Sequence, residues 1–191
     1  DDMGRISCGT TCNATVTSGT TVMLTATANT ASGYVFQGWT GACASAGTAT
    51  TCSVTISGVT NVGANFALST RTVTVAIGGS SASGTVTESG GAISCPGTCS
   101  NSFPYGSALT LTATANPGYA FNGWSGCPMA AGPQCTISSL TTNQNITANF
   151  VLQNVTVTVA LNGAGSGVVS GSGITCHNPG GFPGDTCAIT V

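Results

Sequence analysis

The chain has 191 residues, of which only six are charged, Asp1, Asp2, Arg5, Arg71, Glu88 and Asp185, for a net charge of -2 with no lysine. Two arginines cannot supply the phosphate contacts that give nucleic-acid affinity, and no run approaches ~20 consecutive apolar residues, so nucleic acid as a main partner and a membrane-inserted helix are both excluded. Abundant Val, Ile and Thr argue against disorder, and 33 Thr with 21 Ser make a neutral hydroxyl surface on which little like-charge repulsion keeps neighbours apart.

Period-two alternation runs along the chain and helical periodicity is absent, which predicts half-buried β-strands. The first copy of a repeat carries Cys8 and Cys12, then Leu24-Thr-Ala-Thr-Ala-Asn29, Tyr34-Val-Phe36-Gln-Gly-Trp39, and Ala64-Asn-Phe66. The same words return as Leu111 to Asn116, Tyr119 to Trp124, and Ala148 to Phe150, at spacings of 87, 85 (124 minus 39) and 84. Self-similarity at a fixed period marks an array of one supersecondary unit. A unique catalytic pocket is not usually copied along a chain, so the array points to function in a built shape.

The second copy reads as a complete antiparallel unit of six strands. Val73, Val75 and Ile77 face one way and Thr72 and Thr74 the other; residues 78–84 turn the chain, and Thr85 to Glu88 return. Leu109, Leu111, Ala113 and Ala115 make the next inward row, ended by Asn116-Pro117-Gly118, a strong turn signal. Tyr119, Phe121 and Trp124 follow, and the step of three with Gly123 inside it predicts a bulge. Cys135 to Ser138 is the fifth strand. The sixth places Ile146, Ala148, Phe150 and Leu152 on one face. The division expected is 1–69 for a repeat lacking its first two strands, 70–153 for a complete one, and 154–191 for the beginning of a third. Almost no linker separates the copies, which predicts a stiff rod.

Each full copy holds two cysteine pairs, and the third holds only Cys176 and Cys187, in the place of the first pair. Pairing between first and second pairs would orphan those two thiols. Local pairing orphans none, which predicts Cys8–Cys12, Cys43–Cys52, Cys95–Cys99, Cys127–Cys135 and Cys176–Cys187. Loops this short stabilise by roughly 2 to 3 kcal/mol each in the chain-entropy model. Ten cysteines so arranged point to an oxidising, extracellular compartment. Zinc is disfavoured because no second Cys/His pair at finger spacing follows Cys176-His177, and a redox pair is ordinarily Cys-x-x-Cys. No metal or cofactor is expected, and His177, the sole histidine, is expected on an exposed loop.

The run 72–99, the segment 109–127 with its Gly-Trp-Ser-Gly-Cys, and the stretch 135–150 ending in Ala-Asn-Phe resemble the divergent internalin-B-type repeat of bacterial surface and secreted proteins. The resemblance covers nearly the whole chain and implies tandem all-β modules, β-grasp-like or sandwich-like, serving as stalks or adhesive segments. It carries over no catalytic residues. The chain departs from the pattern in lacking two strands before Asp1 and in ending mid-repeat.

The aromatic set Tyr34, Phe36, Trp39, Phe66, Tyr119, Phe121, Trp124 and Phe150 could form a platform for a host or matrix glycan, but alternation on strands in a small unit favours core. Hydrolysis needs paired carboxylates or an activated nucleophile, and neither can be assembled from four carboxylates and one histidine, so no enzyme is expected. Asn13, Asn145 and Asn154 begin glycosylation sequons, for which chance in a Thr-rich chain is the favoured reading. Two functions remain: a subunit of an extracellular fibre, or a stalk or adhesin segment of a longer surface protein. For the first, the partner is another copy, head to tail. A C-terminal hairpin with Val155, Val157, Val159, Leu161 and Val168 would dock into the first repeat against Leu24, Ala26, Phe36 and Phe66 by strand addition.

Overall fold

The computed structural model describes residues 1–161, 166–171, 174–178 and 186–190; within the last two segments the backbone is described and, of the side chains, Cys176 alone. Among these residues seventeen strands follow in chain order. The first copy forms β1 (Thr20–Thr25), β2 (Tyr34–Gly41), β3 (Thr51–Ile56) and β4 (Val62–Leu68). The second forms β5 (Thr70–Gly78), β6 (Gly84–Glu88), β7 (Ser94–Cys95), β8 (Ser100–Pro104), β9 (Leu109–Ala115), β10 (Tyr119–Ser125), β11 (Met129–Ala131), β12 (Gln134–Ile137) and β13 (Gln144–Leu152). The third contributes β14 (Thr156–Ala160), β15 (Gly167–Gly171), β16 (Ile174–Asn178) and β17 (Thr186–Thr190).

The complete second repeat is a sandwich of two sheets, ordered β10-β13-β5-β8 and β11-β12-β9-β6-β7. Apolar alternation decides which side of each strand faces inward. Val73, Val75, Val86, Leu109, Leu111, Ala113, Ile146 and Ala148 meet in one core and are all buried. Thr72 and Thr74 turn outward and exchange hydroxyl contacts at 3.1 Å with Ser102 and Ser100.

The repeat is all-β as expected, and three features differ from the six-strand reading. It has nine strands, because Ser94–Cys95, Ser100–Pro104 and Met129–Ala131 join its edges. Its central pair is parallel, with Gln144↔Val73 through Asn149↔Gly78. Finally, β5 and β6 are not a hairpin: they lie in opposite sheets, so the turn between them crosses the core. The bulge at Gly123 is present, with the register of β10 on β13 shifting between Phe121 and Gly123, and the same shift recurs between Phe36 and Gly38. Both glycines have the positive φ (106° and 138°) that such a bulge asks of the backbone.

The first repeat has only two two-stranded sheets, β1-β3 and β2-β4. Ser69 is the one residue between β4 and β5, the last strand of the first repeat and the first of the second. Ser69 N donates to Gly33 O at 2.8 Å, Tyr105 N donates to Ser69 O at 2.8 Å, and Arg71 lies 5.2 Å over the Tyr105 ring while donating to Thr141 O.

Candidate functional site

The first and second repeats differ in the neighbours of two strands. In the second repeat, β13 has β10 on one edge and β5 on the other, and β9 has β12 on one edge and β6 on the other. Their counterparts β4 and β1 keep the first neighbour of each pair, β2 and β3, and lack the second among the described residues. A cleft of about 930 Å³ runs where β5 and β6 would lie, lined by Val22, Leu24, Trp39, Val62, Ala64 and Phe66 among others. Unpaired strand edges beside apolar side chains are what another strand satisfies.

The cost of the missing strands is readable residue by residue. Ala148 is buried and Ala64 exposed; Leu111 is fully buried and Leu24 half-buried; Phe150 is 7 % exposed and Phe66 42 %. In the second repeat Val73, Val75 and Val86 cover this surface at 0, 3 and 0 % exposure. Burying a valine is worth roughly 1.5–3 kcal/mol.

The strands that would fit are in the third copy. Val157 and Val159 stand 84 residues after Val73 and Val75, and β14 pairs with β17, Val159 opposite Cys187, as Val75 N reaches Cys99 O at 2.7 Å. Val169 pairs with Cys176 as Val86 pairs with Cys95. Val169 is therefore the counterpart of the buried Val86, and Val168, chosen from the sequence, points to the other face. Val155, Val157, Val168 and Val169 are 54, 43, 57 and 43 % exposed, and Leu161 is half-buried.

The aromatic set divides. Trp39 is buried and its Nε1 donates to Ala49 O at 2.7 Å, with Phe36 edge-on at 5.3 Å between ring centroids. Phe150 is buried; Phe36, Tyr119, Phe121 and Trp124 are half-buried. Tyr34 and Phe66 are exposed, contrary to the core assignment: Tyr34 is the first residue of its strand, on the face of Phe36 but at its end, and among the described residues nothing lies over Phe66.

Four disulfides join Cys8–Cys12, Cys43–Cys52, Cys95–Cys99 and Cys127–Cys135, with Cα separations of 4.5, 5.9, 4.5 and 5.9 Å. These lie within the range the bond requires. Cys176 is disulfide-bonded, and the side chain of Cys187, its expected partner, lies outside the described residues. His177 lies in β16 opposite Val168 instead of on a loop, its side chain also undescribed. Asn13, Asn145 and Asn154 are exposed. Among the described residues no cluster of His, Cys, Asp or Glu could hold a metal, and no helix is long and apolar enough to cross a membrane.

Sequence reasoning missed Glu88. It is buried in the β6–β7 turn, where burial pushes its carboxyl up while hydrogen bonds from Gly90, Ser89 and Ala92 outweigh burial and hold it below the ordinary glutamate range. Asp1 stands at the same place in the first copy, and its carboxylate accepts from Arg5 N and Ile6 N at 2.6 and 2.9 Å.

The model of the divergent InlB B-repeat domain matches residues 2–70 and 72–154. The chain therefore belongs to the divergent InlB B-repeat family, with two tandem copies. No curated protein and no solved structure matches it. Four disulfides fit the oxidising setting of a surface-associated protein.

Proposed function

We propose that this chain is an extracellular structural protein, the subunit of a bacterial surface fibre, in which β14 and β15 of one molecule enter the cleft of the next. It has no catalytic role in this reading. The observation that carries it is the complementarity between the first and third copies: among the described residues the cleft has no counterparts of β5 and β6, and β14 and β15 are those counterparts, with Val157 and Val169 exposed and Val159 half-buried. Docking covers Phe66 and Ala64 as Phe150 and Ala148 are covered, and gives β1 and β4 the hydrogen-bonded neighbours they lack. The joined surfaces differ, so the contact is heterologous and propagates as an open filament. A neutral surface does not oppose it.

The one-residue join at Ser69 supports a second reading, a stalk segment in a longer surface protein, where a preceding repeat fills the cleft within the same polypeptide. Glycan binding draws no support from Trp39, whose ring is buried. The test is deletion of residues 154–191 from the 191-residue polypeptide. Loss of concentration-dependent polymers by sedimentation is expected. Polymers that persist after the deletion exclude the strand-addition mechanism, and a full chain that stays monomeric at all concentrations leaves the stalk reading.

A further inference from the structure

The residues ahead of β1 already rebuild part of the second repeat, all at an offset of 87. Asp2 N donates to Met23 O at 3.1 Å as Ser89 N donates to Thr110 O at 3.0 Å. The Asp1 carboxylate accepts from Arg5 N as the Glu88 carboxylate accepts from Ala92 N. Ser7 bridges Thr11 as Ser94 bridges Thr98, and Cys8–Cys12 sits where Cys95–Cys99 sits. The first copy thus carries its own β7-like turn, and among the described residues the parts of the second repeat without a counterpart in it narrow to β5 and the body of β6.

The correspondence fails at one segment. Ser100–Pro104 is strand β8, paired along the free edge of β5. Its counterpart 13–17 has no strand pairing, although Asn13, Ala14, Thr15 and Val16 line the cleft. β8 is a strand because β5 is beside it. Without that neighbour the same stretch has no ladder to join.

A strand has two edges. In the docked position one edge of β14 pairs with β4, and the other would lie along residues 13–17, yet that edge is already occupied by β17, from Thr156↔Thr190 to Ala160↔Thr186. Likewise β15 carries β16 on the edge where the Ser7–Cys8 turn would sit. Both occupants cannot fit.

We infer that assembly proceeds by strand exchange: residues 13–17 of the receiving chain fold into a strand on β14 of the second copy and displace its resident β17. This rests on the head-to-tail reading and adds to it the segment that completes the joint and the element that must leave. Before docking, β16 and β17 cap the donor strands, covering edges that would otherwise pair indiscriminately. The cap makes joining slower than open edges would allow, and selects a cleft that brings its own replacement strand.

The register gives two independent probes. Asn145 pairs with Thr74, so Asn61 of the receiver should meet Thr158 of the donor; Thr74 pairs with Ser100, so Asn13 should also meet Thr158. Full-length Thr158→Cys chains are mixed with either Asn61→Cys or Asn13→Cys chains, oxidised mildly and mapped without reduction. Cross-links of Thr158→Cys to both positions are the result expected. A link to Asn61→Cys without one to Asn13→Cys overturns strand exchange and leaves docking intact. Absence of both overturns docking and exchange together.

Discussion

Phe150 and Phe66 hold the same position in two copies of one unit and differ in what lies above them. Each packs on the aromatic opposite it, Phe121 at 5.6 Å and Phe36 at 5.4 Å between ring centroids, yet Phe150 is 7 % exposed and Phe66 42 %. The difference is made by β5 and β6: a Cβ at Gly84 in β6 would strike the Phe150 ring. Truncating Phe150 to Ala should cost about 3–5 kcal/mol. Phe66→Ala should cost distinctly less in dilute solution, and the gap should narrow in the assembled state; chemical denaturation of both variants below and above the polymerisation threshold measures it.

The two tryptophans also part company. Trp39 Nε1 donates to Ala49 O, whereas the Nε1 of Trp124 is buried with no partner among the described residues. Trp39→Phe should therefore lose about 1–3 kcal/mol by leaving a carbonyl without its donor, while Trp124→Phe, which removes an unsatisfied group, should be near neutral. Thermal unfolding of the two variants compares them directly.

Gly33 and Gly118 are equivalent turn glycines with φ of 79° and 83°. A Cβ on Gly33 runs into the Tyr105 ring, and one on Gly118 meets nothing within 4 Å. Gly118→Ala should cost only the left-handed strain, about 1–2 kcal/mol. Gly33→Ala should cost more and loosen the join between the repeats, detectable as faster amide exchange at Ser69 and Tyr105.

Glu88 gives a pH dependence with a definite sign. Its carboxyl is held below the ordinary range in the folded state, so its contribution is full above the ordinary glutamate pKa and is lost as pH falls through the depressed value. Glu88→Gln should flatten the acid limb of the stability profile and leave a neutral-pH fold. An unchanged acid limb would mean that other carboxylates set it.

How much of this was legible in the sequence depended on what each feature asks of its neighbours. Alternation at Val73–Ile77, Leu109–Ala113 and Ile146–Phe150 located the central strands, because burial on one face imposes a period of two whatever the partner. Direction and partner leave no such mark, so the parallel pairing of β13 with β5 was invisible, and a short turn after Ile77 read as a hairpin although it spans the core. Ser100–Pro104 lacks an apolar rhythm and is a strand only through its neighbour's edge. Ile93 and Leu140, both fully buried, sit outside any alternating run. Exposure at Phe66 and the choice of Val169 over Val168 required the comparison of copies in three dimensions.

The central claim is that β14 of one molecule fills the slot that β5 fills in the second repeat. Val157 holds the place of the fully buried Val73 and is 43 % exposed before docking. A carboxylate there is tolerated in the free chain and cannot be tolerated in an apolar slot. Sedimentation velocity on the full chain and on Val157→Asp, across a concentration series, tests this most directly. The account predicts that the parent grows in mass with concentration while Val157→Asp stays monomeric with the same unfolding temperature; equal growth of both would contradict it.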